Sequence, residues 1–173
     1  MSLLLTVSRM LATALTGLYA GGVLFVVIAP SLARMPGAAY VTYWQALNAD
    51  YGRAMPPFLL TCIGATIVAS LLSWQRGWPA FAACTAALLL LVATVALTLA
   101  GMEPLNRIAN GWDPAQPPAG WHEIRQRWLD LHLLRAVLAL AAFACLITAQ
   151  GLDHDMTRTD LSSERNVPRN AEP

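Results

Sequence analysis

The chain has 173 residues, 57% of them hydrophobic and 12% charged, with a formal net charge of +1 and a mean hydropathy of +0.51. Soluble domains carry roughly 25% charged residues, so an ordinary soluble fold is excluded. Near-neutral charge without a basic cluster excludes a nucleic-acid partner.

A helix needs about 20 mostly apolar residues to cross a bilayer, and four stretches offer them: roughly 10–29, 58–73, 79–100 and 131–149. The first follows Arg9 and has an Ala20-Gly21 pair like a cleavage site, but its apolar run continues through VLFVVIA. That is too long for the core of a signal peptide. Ala14, Gly17 and Gly21 recur along it at spacings of three and four, a pattern that lets membrane helices approach closely and also permits self-association into a homo-oligomer.

After Pro36-Gly37 the segment Ala38–Tyr51 reads as a short amphipathic helix at the membrane surface, ended by Pro56-Pro57. Tyr40, Tyr43, Trp44, Leu47 and Tyr51 repeat on one face, and aromatic side chains of this kind settle at the interface. Gln45 and Asn48 lie beside that face as candidates to point into a site. The turn QRGWP, residues 75–79, makes the middle spans antiparallel neighbours. Span three ends at GMEPLNRIANGW, where Pro104 removes an amide hydrogen and the helix is expected to stop. The proline-rich stretch from Trp112 to Trp121 reads as a rigid loop. Residues 151–173 are polar and aperiodic and read as a disordered tail. The expected fold is an all-α, four-transmembrane-helix antiparallel bundle with one interfacial helix between spans 1 and 2.

Cys62, Cys84 and Cys145 fall in separate spans and read as small buried apolar groups, with no CxxC among them. Arginine placement ties, with Arg9, Arg76, Arg158, Arg165 and Arg169 on the side of the termini and Arg34, Arg53, Arg107, Arg125 and Arg127 opposite. Because arginines tied up in a site are poor topology signals, the expectation is a bacterial inner membrane with both termini cytoplasmic.

The stretch WHEIRQRWLDLHLLR, from Trp121 to Arg135, raises the functional question. At 100° per residue, Trp121, Arg125, Trp128, His132 and Arg135 fall within an arc of about 80°. Glu123, Arg127 and Asp130 point elsewhere, the first two as a surface pair. A central Arg in a membrane helix costs about 3 kcal/mol or more. His132 and Arg135 therefore either snorkel to interface water or face inward. Glu103 and Asn106 leave the bilayer on the side where Arg125 and His132 enter it. Glu103 is expected to pair with Arg135 or Arg125, either as a structural bridge or as a catalytic acid or base.

The ordering GLYAGGVLFVVIAPSLARMP, YWQALN, EPLNRIANGW and WHEIRQRWLDLHLLR resembles the DUF1772, or anthrone oxygenase-like, family of integral membrane proteins over roughly residues 10–148. The resemblance implies a four-helix bundle and proteins linked to oxidation of anthrones to anthraquinones without a familiar organic cofactor. Its motif positions here are Pro104, Leu105, Asn106, Arg127, Trp128, His132 and Arg135; Glu103 lies outside the shared pattern.

Three functions compete. In an oxygenase acting on an apolar phenolic, His132 would serve as base, with Arg135, Arg125 and Asn106 stabilising the oxyanion. Trp128, Trp121 and Trp44 would sandwich the ring, and Asn48 would contact it. A metal centre is disfavoured, because His122 and His132 stand about 15 Å apart along a helix, and His154 sits in the tail. The third function is a non-catalytic accessory protein binding lipid or a quinone-like ligand. The expected partners are membrane lipid and a small apolar aromatic molecule, with no metal and no cofactor.

Overall fold

The computed structural model describes the backbone of residues 3–29 and 31–165, and the side chains of residues 3–29, 31–32 and 34–152. It is all-helical over these residues: α1 (Leu3–Val27), α2 (Gly37–Ser73), α3 (Trp78–Leu97), α4 (Glu103–Asn110) and α5 (Trp121–Arg165). A π-turn, Thr98–Met102, joins α3 to α4 as one continuous rod. Four helical segments are long and apolar enough to cross a membrane, as in an integral membrane protein.

Helix α1 packs on α2, α2 on α3, α3 on α5 and α5 back on α1, closing an antiparallel four-helix ring. Leu11, Leu18, Phe25, Leu60, Leu89, Leu99 and Leu133 are exposed on its outside. The interior of one half is built from small residues: Ala12, Ala20, Ala69, Ala87, Ala136, Ala139, Ala142 and Ala149. Lipid tails are as apolar as leucine, so burial alone does not hold these helices together; close approach between small side chains does. The other half packs large rings, with Tyr40, Trp44, Trp121 and Trp128 around Met102 and Leu105. Cys62 and Cys84 are buried and Cys145 half-buried, and all three are free thiols.

The small-residue stripe on α1 acts at one position. A Cβ on Gly17 would stand 2.8 Å from the Phe143 ring of α5, whereas one on Gly21 would meet nothing within 4 Å. Gly17→Ala is expected to cost about 1–3 kcal/mol by overpacking. Gly21→Ala should be neutral or gain up to about 1 kcal/mol in helix propensity. Thermal unfolding in detergent reads both, and equal effects would show that the stripe acts as a unit.

Three prolines expected to end helices do not. The segment 38–51 is no separate interfacial helix: α2 runs unbroken for 37 residues through Pro56 and Pro57. At 1.5 Å per residue it is about 55 Å long, so its N-terminal aromatic turns stand beyond a hydrocarbon core of about 30 Å. Each proline removes one amide donor, and membrane helices tolerate this when neighbouring helices and local adjustments supply the lost contacts. Pro104 likewise sits inside the rod, on the first turn of α4, where an amide hydrogen is not needed. The preceding π-turn absorbs the mismatch, with the Glu103 amide donating five residues back to the Thr98 carbonyl.

Between α2 and α3 the chain reverses through Trp74–Arg76 and Gly77, whose φ of 131° favours glycine. Trp74 and Trp78 are exposed there as an interfacial pair. Residues 111–120 form the expected non-helical loop. Helix α5 continues to Arg165, so the backbone is helical over 151–165, where composition predicts disorder. The side chains of 153–165, including His154, and the whole of 166–173 lie outside the described residues.

Arg9, treated above as a topology marker, is 3% exposed. Its guanidinium donates to Ser73 Oγ on α2 at 3.0 and 2.9 Å and to the Ala149 carbonyl on α5 at 3.3 Å. It therefore clamps three helices at the end of the bundle remote from Trp44, Trp121 and Trp128. Its position inside the apolar run, not before it, was the available signal.

Candidate functional site

The PLN segment begins α4, and its asparagine is the hub of the large-ring half. Asn106 Oδ1 accepts from Trp44 Nε1 at 3.1 Å and from Trp128 Nε1 at 3.0 Å. An indole can only donate, so the amide oxygen must face both rings and the amide nitrogen must face away. That nitrogen lies 3.4 Å from Glu103 Oε2. Leu105 is buried beside Trp44 and Trp128. The two indoles lie 5.4 Å apart, centroid to centroid, bringing α2, α4 and α5 together at one level.

The opening stripe of α5 divides by depth. Trp121 and Arg125, nearest the loop, pack against Tyr40: the guanidinium lies 4.8 Å from the Trp121 ring centroid and 5.5 Å from that of Tyr40. Farther in, Trp128 stacks on His132 with centroids 5.0 Å apart. His132 is 2% exposed. Its Nε2 is 2.8 Å from the Val23 carbonyl of α1, and its Nδ1 is 2.8 Å from Arg135 Nη2. A carbonyl can only accept and a guanidinium can only donate. His132 is therefore neutral with its hydrogen on Nε2, and both ring nitrogens are occupied.

Arg135 Nε is buried without a hydrogen-bond partner. The expected Glu103 pairing with Arg135 or Arg125 is corrected: Glu103 Oε1 instead binds Arg107 Nε at 3.1 Å, one turn along the same helix. Four residues of helix bring those side chains together without any tertiary constraint, whereas Arg125 is held by rings and Arg135 by His132. Nor do Glu123 and Arg127 form a pair; both are exposed, and the described ion pair is Arg107–Glu103.

The helices leave a cavity of about 570 Å³ between them. Glu103, Asn106, Trp128, His132 and Arg135 line it, as does Asn48, whose amide nitrogen lies 3.3 Å from Asn110 Oδ1. Trp44, Trp121 and Arg125 do not line it; their rings and charge serve packing. Gln45 also turns away, donating to the Ala109 and Trp112 carbonyls at 2.9 Å each and so capping the end of α4. Tyr19 and Tyr51 are lining residues that sequence reasoning did not select as site residues. Tyr51 belonged to the aromatic face already noted, and Tyr19 gave no periodic signal. Among the described residues no three His, Cys, Asp or Glu side chains gather as a metal-binding group.

A family model described as anthrone oxygenase matches residues 44–145, from Trp44 of the hub to Cys145 of α5. No curated protein and no solved structure matches the chain. The matched stretch contains Asn106, both of its indole donors and the His132–Arg135 pair, and it covers more than half of the chain, which thus belongs to the anthrone oxygenase family.

Proposed function

We propose that the protein is a membrane oxygenase that converts an apolar polycyclic phenolic, of the anthrone type, to the corresponding quinone. The observation carrying this reading is Arg135. A guanidinium borders a largely apolar cavity, one of its nitrogens lacks a partner, and no carboxylate among the described residues pairs with it. A cation held in this way is placed to stabilise negative charge that develops during a reaction.

Glu103 is the carboxylate on the cavity wall and takes the role of base that the sequence offered to His132. Both His132 nitrogens are engaged, so His132 positions Arg135. Taking Asn106 and Trp128 as level, Glu103 and Arg135 stand about 6 Å apart along the bundle axis. Glu103 removes a methylene proton and Arg135 holds the enolate oxygen. Dioxygen takes electrons from the ring carbon and adds to it as a hydroperoxide, which loses water to leave the second carbonyl. In sum, CH₂ and O₂ give C=O and H₂O.

In this reading the protein lies in a bacterial plasma membrane with both termini cytoplasmic, and the cavity's polar end is towards the opposite surface. A second reading, a non-catalytic binder of a quinone-like ligand, is favoured by the occupied nitrogens of His132.

The test is quinone formation from emodin anthrone under air by protein in mild detergent, measured above the protein-free rate. Glu103→Gln should lower the enzymatic rate about 10²–10⁴-fold, as expected for loss of a general base. Binding of the anthrone without turnover by the unaltered protein would replace the oxygenase reading with the second one.

A further inference from the structure

The cavity is longer than the ring system that its polar groups can hold. Asn106, Trp44 and Trp128 are hydrogen-bonded together and so lie level. At 1.5 Å per residue, Arg135 lies about 10 Å deeper than Trp128. Every polar side chain proposed to contact the ring, from Asn106 and Glu103 to Arg135, falls within that interval. Two or three fused rings fill it.

The lining continues beyond Arg135. Val95, Leu59, Leu60 and Ile63 lie about 6 to 18 Å deeper still. None of these side chains has a polar atom. Thr98, at the top of this lobe, turns its hydroxyl onto the Thr94 carbonyl at 2.7 Å. The four aliphatic side chains thus offer a second oxygenated ring no hydrogen bond; the Tyr19 and Tyr51 hydroxyls that also line the cavity belong to helix turns near the depth of Arg135. The lobe also opens sideways. Leu60 on α2 and Leu99 on α3's extension both line the cavity, yet they are 68% and 65% exposed, on the outer surface that meets lipid.

We propose that the natural ligand is a phenol or quinone ring bearing an alkyl or isoprenoid tail. The ring lies between Trp128 and Arg135, and the tail fills the lobe and leaves for the bilayer between Leu60 and Leu99. This rests on the reading of the cavity as the site of phenol oxidation and adds to it the substrate class. An apolar tail gains little by moving from lipid to a leucine-lined lobe. Its contribution is therefore to fix the ring's depth and direction of entry, not to tighten binding.

The experiment is photolabelling of the full chain in mild detergent with a 1,4-naphthoquinone whose alkyl tail ends in a diazirine. A phosphocholine with the same diazirine tail serves as control, and labelled residues are mapped by mass spectrometry. The expected result is labelling at 59–63 and 95–99 several-fold above the control, suppressed by excess tailed quinone without the diazirine. Labelling spread equally by both probes over outward residues such as Leu133 and Val137 would overturn the proposal. Anthrone turnover without labelling of the lobe would also sink the tail while leaving the oxygenase reading intact. Lobe labelling without anthrone turnover would support the tail and remove only the oxygenation.

Discussion

Asn106→Leu is expected to destabilise the protein by about 2–6 kcal/mol, measured by unfolding in detergent micelles. The substitution keeps the side-chain volume but deletes the acceptor for two indole N–H groups, those of Trp44 and Trp128. Trp44 is 1% exposed and Trp128 is 4% exposed, so neither stranded donor gains access to water. Each buried unsatisfied donor costs roughly 1–3 kcal/mol. A mutant cycle separates this cause from ordinary repacking. In a Trp44→Phe/Trp128→Phe background the donors are already gone, and Asn106→Leu should then cost less than about 1 kcal/mol. An undiminished cost in that background would mean that the hub matters through shape or through its contact with Glu103.

Arg135→Met should lower emodin anthrone turnover by about 10²–10³-fold, the range found when one oxyanion-stabilising donor is lost. The loss should fall on kcat more than on KM, because the charge that Arg135 meets exists only after proton removal. The substitution leaves no carboxylate among the described residues unpaired but strands the buried His132 Nδ1 acceptor, so stability should fall by roughly 1–3 kcal/mol. His132→Ala should have a smaller effect, about tenfold, because Arg135 loses one fixed partner but remains in the cavity. If His132→Ala instead abolished turnover while Glu103→Gln retained it, the base would be His132. That result would require Arg135 to swing off Nδ1 when substrate binds.

Spans, turns and the α5 stripe were legible in the chain itself because each depends on local quantities. A run of about 20 apolar residues and a 100° turn per residue need no knowledge of a neighbour. The same periodicity separated Trp128, His132 and Arg135 from the exposed Glu123, Arg127 and Asp130, and the structure keeps that division. Helix ends were less legible. Prolines 56, 57 and 104 are local stop signals, but in lipid the cost of an unpaired backbone group favours continuing the helix wherever neighbours or a π-turn can absorb the defect.

Tertiary structure alone decided which polar groups meet. His132 is fixed by a carbonyl 109 residues away on α1, Arg9 by a serine 64 residues away, and Asn106 by Trp44 from 62 residues away. No spacing rule within one helix carries such partners, because they depend on the rotation and depth at which separate helices pack. The glutamate–arginine pair went to Arg107 for the converse reason. A contact one turn away forms wherever the helix forms, whereas a cross-helix partner must compete with rings and a histidine that already hold the other arginines.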